Sequence, residues 1–167
     1  DPPAADMNER DYDAYVGFVN YYIHQINLLR HLLGEPYRVA YADPSGVLLA
    51  VESESGIPGA IEMSPYRTTI DWQESAFVAF DHGYVKISLP APMASHRPGT
   101  VEIFRDPGNG RTPETVAPQL PWIHAMRRQA EIFVAALRGE GAPSCTAAEA
   151  LEDLVVARDY LRLLTGR

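Results

Sequence analysis

Hydrophobic periodicity changes twice along this chain, and the two changes leave few folds open. Tyr12, Tyr15, Val19, Tyr22, Ile23, Ile26, Leu29 and Leu33 recur every three to four positions, the stripe of a helix with one covered face. Asp11 is placed to cap its start, Gly34 suits a left-handed C-cap, and Pro36 forbids continuation. From Tyr37 to about Phe104 come short runs rich in Val, Ile, Tyr and Phe: YRVAYA, VLLAVES, GAIEMS, ESAFVAF, YVKISLP and TVEIF. The turns DPSG, GIPG and Asp81-His82-Gly83 connect them, and such short links make hairpins, so the sheet is expected to be mostly antiparallel. In Ala76 to Phe80 and Val85 to Leu89 the larger apolar groups fall on alternate positions. That predicts one covered face and another that is solvated or paired with a partner.

Helical spacing then returns. Trp122, Met126, Ala130, Phe133 and Leu137 form one stripe, closed by the glycine-rich RGEGAP. Thr146-Ala-Ala-Glu149 is a capping box opening a last helix, with Ala147, Leu151, Leu154, Ala157, Leu161 and Leu164 expected inward. Helix, strands, then two helices predicts an α+β fold, an antiparallel sheet with helices packed on one face.

At 167 residues the chain is expected to be a single domain spanning residues 1–167. No apolar run reaches the roughly 18 residues of a membrane helix, so no membrane partner is expected. A net charge of -8 with no local basic cluster argues against nucleic acid as a partner. Cys145 is alone, which rules out an internal disulfide and favours a reducing, cytoplasmic setting. The opening DPPAAD, without an initiator Met, reads as a linker or boundary.

Metal and nucleotide chemistry find little support. His24 and His31 share a helix face, but seven residues of helix separate them by about 10 Å, too far for one zinc ion. No metal site is expected. Gly108 with Gly110 and Gly139 with Gly141 are bare GxG pairs, outside any strand-to-helix turn, and a Walker A pattern is absent. What stands out is Asn20, His24 and Asn27, three polar residues on one face of the first helix. Buried polar groups need partners. A satisfied structural histidine and a polar ligand such as a sugar both answer that requirement.

Two segments together resemble a known family. IHQINLLRHLLGEPYRV is similar to the H-x-I-D-L-L-R-W-L-L-G-x-P-x-x-V stretch of the glucose-fructose oxidoreductase, inositol dehydrogenase and MocA-type oxidoreductases. RRQAEIFVAALRGEGAPSCTAAEALEDLVVARDYLRLLTG resembles that family's F-x-x-A-I-x-x-G-x-x-P segment and closing helix, and GYVKISLPAP its G-x-L-x-L-x-x-P strand. The likeness covers most of the chain and only the C-terminal domain of the family. It implies an open-faced sheet like that of the glyceraldehyde-3-phosphate dehydrogenase C-terminal domain, serving substrate binding and oligomerisation. It also implies that the N-terminal Rossmann domain, which binds NAD or NADP and carries the Glu-Lys-Pro lysine, is absent from this chain. Lys86, the only lysine, sits in a predicted strand and is not that residue.

By the resemblance, His24 falls on the histidine of the family's Asp-x-x-x-His motif, as general base toward a substrate hydroxyl. Asn20 takes the place of the Asp, where it can orient the imidazole without stabilising its charge. Tyr21 and Asn27 fall on positions expected to meet substrate. Tyr22 stands where the family commonly has glycine. The implied function is the substrate-binding part of an NAD(P)-dependent oxidoreductase acting on a sugar, polyol or related hydroxylated compound. The isolated domain is expected to be inactive and to form a homo-oligomer through the open sheet face. A non-catalytic relative used for ligand sensing or assembly is the alternative that Asn20 invites.

Overall fold

The computed structural model describes residues 7–64, 69 and 72–166; the opening DPPAAD lies outside them. The elements run α1 (Glu9–Leu33), β1 (Tyr37–Ala42), β2 (Leu48–Ser53), β3 (Pro58–Glu62), β4 (Glu74–Phe80), β5 (Gly83–Leu89), β6 (Thr100–Arg105), β7 (Glu114–Val116), α2 (Ala125–Leu137) and α3 (Ala147–Thr165). The α+β class and antiparallel pairing match the expectation. The sheet does not stay single: β1-β2-β3 form one sheet and β4-β5-β6-β7 another. The chain divides correspondingly into two compact units, Asp1–Pro65 with Cys145–Arg167, and Tyr66–Ser144.

The first unit holds α1, α3 and the three-stranded sheet. Asn8, not Asp11, caps α1: its side chain accepts the Asp11 backbone N–H at 2.9 Å, which makes Asp11 part of the acidic first turn. Gly34, at φ 73°, ends the helix by donating to the Arg30 carbonyl. In the sheet Tyr37, Leu49, Val51 and Ile61 face the helices, while Arg38 and Glu52 pair on the outer face. Between sheet and helices lies the core: Phe18, Ile26, Val156, Ala157, Tyr160 and Leu161 close over those strand residues. The Phe18 ring packs 4.6 Å from that of Tyr160 and 5.5 Å from that of Tyr22.

Helix α3 starts at the expected capping box but is rotated from the expected face. Its buried residues are Asp153, Val156, Ala157, Tyr160 and Leu161, whereas Ala147, Leu151 and Leu154 are exposed. The cause is Asp153, which is only 2% exposed and lies against the buried Arg30 of α1. Pairing the carboxylate turns its side of the helix inward and Leu151 outward.

The second unit holds the four-stranded sheet and α2. In β4 and β5 the turn is two residues, Asp81 and His82, because Phe80 pairs with Gly83. Only glycine fits at that position: a Cβ on Gly83 would stand 2.1 Å from the Phe104 carbonyl oxygen. Register puts Ala76, Val78, Val85, Ile87, Val101 and Ile103 on one face, all aliphatic and all half-buried. The opposite face carries a stacked ladder, Phe77 to Tyr84 at 5.2 Å and Tyr84 to Phe104 at 5.4 Å, with Tyr84 donating to Glu102 at 2.8 Å. Helix α2 buries no residue; Trp122, Met126, Ala130, Phe133 and Leu137, the expected stripe, are all exposed. No helix among the described residues is long and apolar enough to cross a membrane.

Candidate active-site face on helix α1

Helix α1 presents three kinds of surface. Phe18 and Ile26 point into the core. Asn20, Tyr21 and His24 lie on the exposed side, Tyr21 most of all at 77%. Asn20 and His24 are one turn apart on the same face, about 6 Å along the axis. All three side chains of this face are exposed among the described residues.

Tyr22, the bulky residue in the place of a family glycine, does not join that face. Its ring packs on Phe18, and its hydroxyl donates to the Met63 carbonyl at 3.4 Å. The extra side chain is absorbed between α1 and the edge of the sheet, which leaves the His24 side unobstructed.

Asn27 is placed differently from the other three. Its Nδ2 donates to Asp153 Oδ2 at 2.8 Å and lies 3.4 Å from Cys145 Sγ, so it belongs to the contact with α3. Arg30, one turn on, donates from Nε to Asp153 Oδ1 at 2.8 Å; Nη2 lies 2.7 Å from the same oxygen without hydrogen-bond alignment. Nη1 pairs with Glu152, and the guanidinium carbon stands 5.5 Å over the Tyr37 ring. One buried carboxylate thus gathers an amide and a guanidinium from successive turns of α1. This clamp fixes α1 about its own axis, and with it the direction in which His24 points.

The phenol of Tyr37 closes the clamp from below, donating to the Ile26 carbonyl at 2.9 Å. Burial pushes its pKa far up, the Asp153 charge adds to that and Arg30 opposes it, so the hydroxyl stays a donor throughout the working pH range. Sequence reasoning singled out Asn27 but not its contact with Asp153, and it missed Arg30, Tyr37 and Asp153. The available signal was charge of opposite sign on two otherwise apolar faces, Arg30 on α1 and Asp153 on α3.

The described residues offer no dinucleotide cradle. Both sheets are antiparallel, Gly108 and Gly110 lie between β6 and β7, and Gly139 and Gly141 lie between two helices. None sits in a strand-to-helix turn that could seat a pyrophosphate on a helix N-terminus. Nor do three or more His, Cys, Asp or Glu side chains converge to hold a metal among these residues.

No protein-family model and no curated protein matches the chain. Among solved structures it is similar to a protein of Desulfitobacterium hafniense DCB-2 named a "putative NADPH-dependent oxidoreductase", with a TM-score of 0.67 and 18% identity. The two share a fold. The match takes in 90% of this chain but 46% of that one, so this chain spans under half of its neighbour's length.

Proposed function

We propose that this chain is the substrate-binding and oligomerisation part of an NAD(P)-dependent oxidoreductase of the glucose-fructose oxidoreductase, inositol dehydrogenase and MocA type, acting on a sugar, polyol or similar hydroxylated compound. The observation that carries the reading is the exposed Asn20–Tyr21–His24 face, held in orientation by the buried clamp, on a fold shared with half of a protein named as an oxidoreductase. The sequence resemblance, which assigned these residues their roles, falls on the same helix.

In this reading His24 accepts the proton of the substrate hydroxyl as the carbonyl forms, a task suited to an imidazole at neutral pH. Asn20, neutral, orients the ring. Tyr21 offers a flat wall and a hydroxyl to the substrate. Asn27 spends its amide nitrogen on Asp153 and keeps its carbonyl oxygen for a substrate hydroxyl. The nicotinamide, held by a separate domain, supplies the hydride acceptor. An open helix face cannot exclude water, which hydride chemistry requires, so that domain also provides the missing wall. The aliphatic face of the four-stranded sheet is the surface expected to bury itself against a second copy, since broad apolar patches are rare on monomers.

Titration of the isolated chain with NADH and NADPH, followed by nicotinamide fluorescence, tests the division of labour. The expected result is no saturable binding of either. Binding to this chain alone would overturn the assignment.

A further inference from the structure

Gly17 stands where nothing within α1 calls for a glycine. It is the only glycine of α1, α2 and α3, and it lies well inside its helix. There glycine is a worse choice than alanine, because its backbone loses more freedom on folding and no side chain packs. The usual reasons for accepting that cost are missing. Its backbone is ordinary helix, not the positive-φ conformation of Gly34. A Cβ built on it meets nothing within 4 Å beyond its own turn of helix, so no described residue presses on it.

What distinguishes Gly17 is its place. Gly17, Asn20, Tyr21 and His24 follow the spacing i, i+3, i+4 and i+7, which is a single helix face. Helical side chains lean toward the N-terminus, so the His24 imidazole leans along that face toward Gly17. Seven residues separate the two, about 10 Å of helix. The result is a notch of bare backbone at Gly17, with the exposed Asn20 and Tyr21 side chains one turn on. A second helix cannot settle into it, because Asn20 and Tyr21 are too large to let another backbone come close. A ring-sized molecule fits between them with its edge against the Gly17 backbone.

We propose that Gly17 is a specificity-determining position, whose missing side chain makes room for the end of the substrate farthest from the reacting hydroxyl. The proposal rests on the oxidoreductase reading of His24 and adds a residue to it. The reacting hydroxyl lies at the imidazole, the body of the substrate runs past Tyr21 toward the N-terminus of α1, and its far edge meets the backbone at Gly17. A methyl group there fills the notch and a larger side chain closes it.

Gly17→Ala and Gly17→Leu test this in two measurements. In this chain, thermal unfolding followed by circular dichroism should show Gly17→Ala raising Tm by about 1–4 °C, since helix propensity improves and no described residue is displaced. In the full-length protein, oxidation of D-glucose, D-galactose and myo-inositol is followed with NAD⁺ and NADP⁺. For each compound the parent oxidises, Gly17→Ala should raise KM about tenfold and Gly17→Leu should raise it further, with the KM of the dinucleotide unchanged. A purely structural glycine would not join a gain in stability to a loss of substrate use. A lower Tm in Gly17→Ala overturns the proposal, because it gives the glycine a packing role. So does an unchanged substrate KM in Gly17→Leu, or a rise in the dinucleotide KM in place of the substrate's. A parent that oxidises none of the three compounds removes the oxidoreductase reading itself, and this proposal with it.

Discussion

The two units are built from similar materials and end in different states. In the first, α1 and α3 close over a three-stranded sheet, and every fully buried side chain among the described residues lies there. In the second, a larger sheet with a uniformly aliphatic face and a helix with an apolar stripe bury none. The difference teaches where stability and function divide. The first unit holds the buried core and the ion-pair clamp between α1 and α3. The second leaves its apolar residues half-buried or exposed.

If stability resides in the first unit, its clamp is the most damaging place to cut. Asp153→Ala should cost about 3–5 kcal/mol by urea denaturation, because it leaves the buried Arg30 charge with only the half-exposed Glu152 as partner and frees the Asn27 amide. A loss below about 1 kcal/mol would mean that the clamp is ornamental. Within the second unit, the tight turn should be the sensitive point. Gly83→Ala forces a Cβ against the Phe104 carbonyl and should cost about 1–3 kcal/mol, read by hydrogen exchange of the β4–β5 and β5–β6 amides. Protection unchanged there would show that the hairpin yields without cost.

Smaller effects sharpen the same contrast. Phe77→Ala removes one end of an exposed aromatic stack and should cost only about 0.5–1.5 kcal/mol in thermal unfolding. A penalty as large as that of Asp153→Ala would reveal a core in the second unit. The smallest effect is on acid stability. Hydrogen bonds from the Thr146 backbone N–H, then its hydroxyl, hold the Glu149 carboxyl below its ordinary pKa of 4.5. A depressed carboxylate contributes stability fully above the ordinary value, and that contribution fades as pH falls through the lowered one. Glu149→Gln should therefore reduce α3 stability at neutral pH and narrow its gap to the parent as pH drops below about 4.5. A gap that widens in acid would contradict the cap.

Much of this contrast was legible in the sequence, and the rest was hidden for physical reasons. YRVAYA and ESAFVAF are β1 and β4 to the residue, because alternation and flanking turns are local signals. The capping box of α3 is local too, and the structure contains it. The rotated face of α3 is not local: Asp153 looks like a solvent residue until Arg30, 123 positions earlier, is opposite it. The contact of Asn27 with Asp153 was hidden for the same reason, since the two lie 126 positions apart. The break into two sheets and the bare stripe of α2 were equally invisible, because periodicity marks an apolar face without naming what covers it. Asn20, Tyr21 and His24 were found from spacing and resemblance, and the fold sets them on one exposed face without testing their chemistry.

The central claim is that His24, aimed by the clamp, moves the proton in an oxidoreductase. It is tested most directly by turnover of the full-length protein, as parent and as His24→Ala. The account predicts a fall in kcat of about two to four orders of magnitude. Turnover unchanged in His24→Ala would contradict it, and turnover absent from both proteins would favour a ligand-sensing relative.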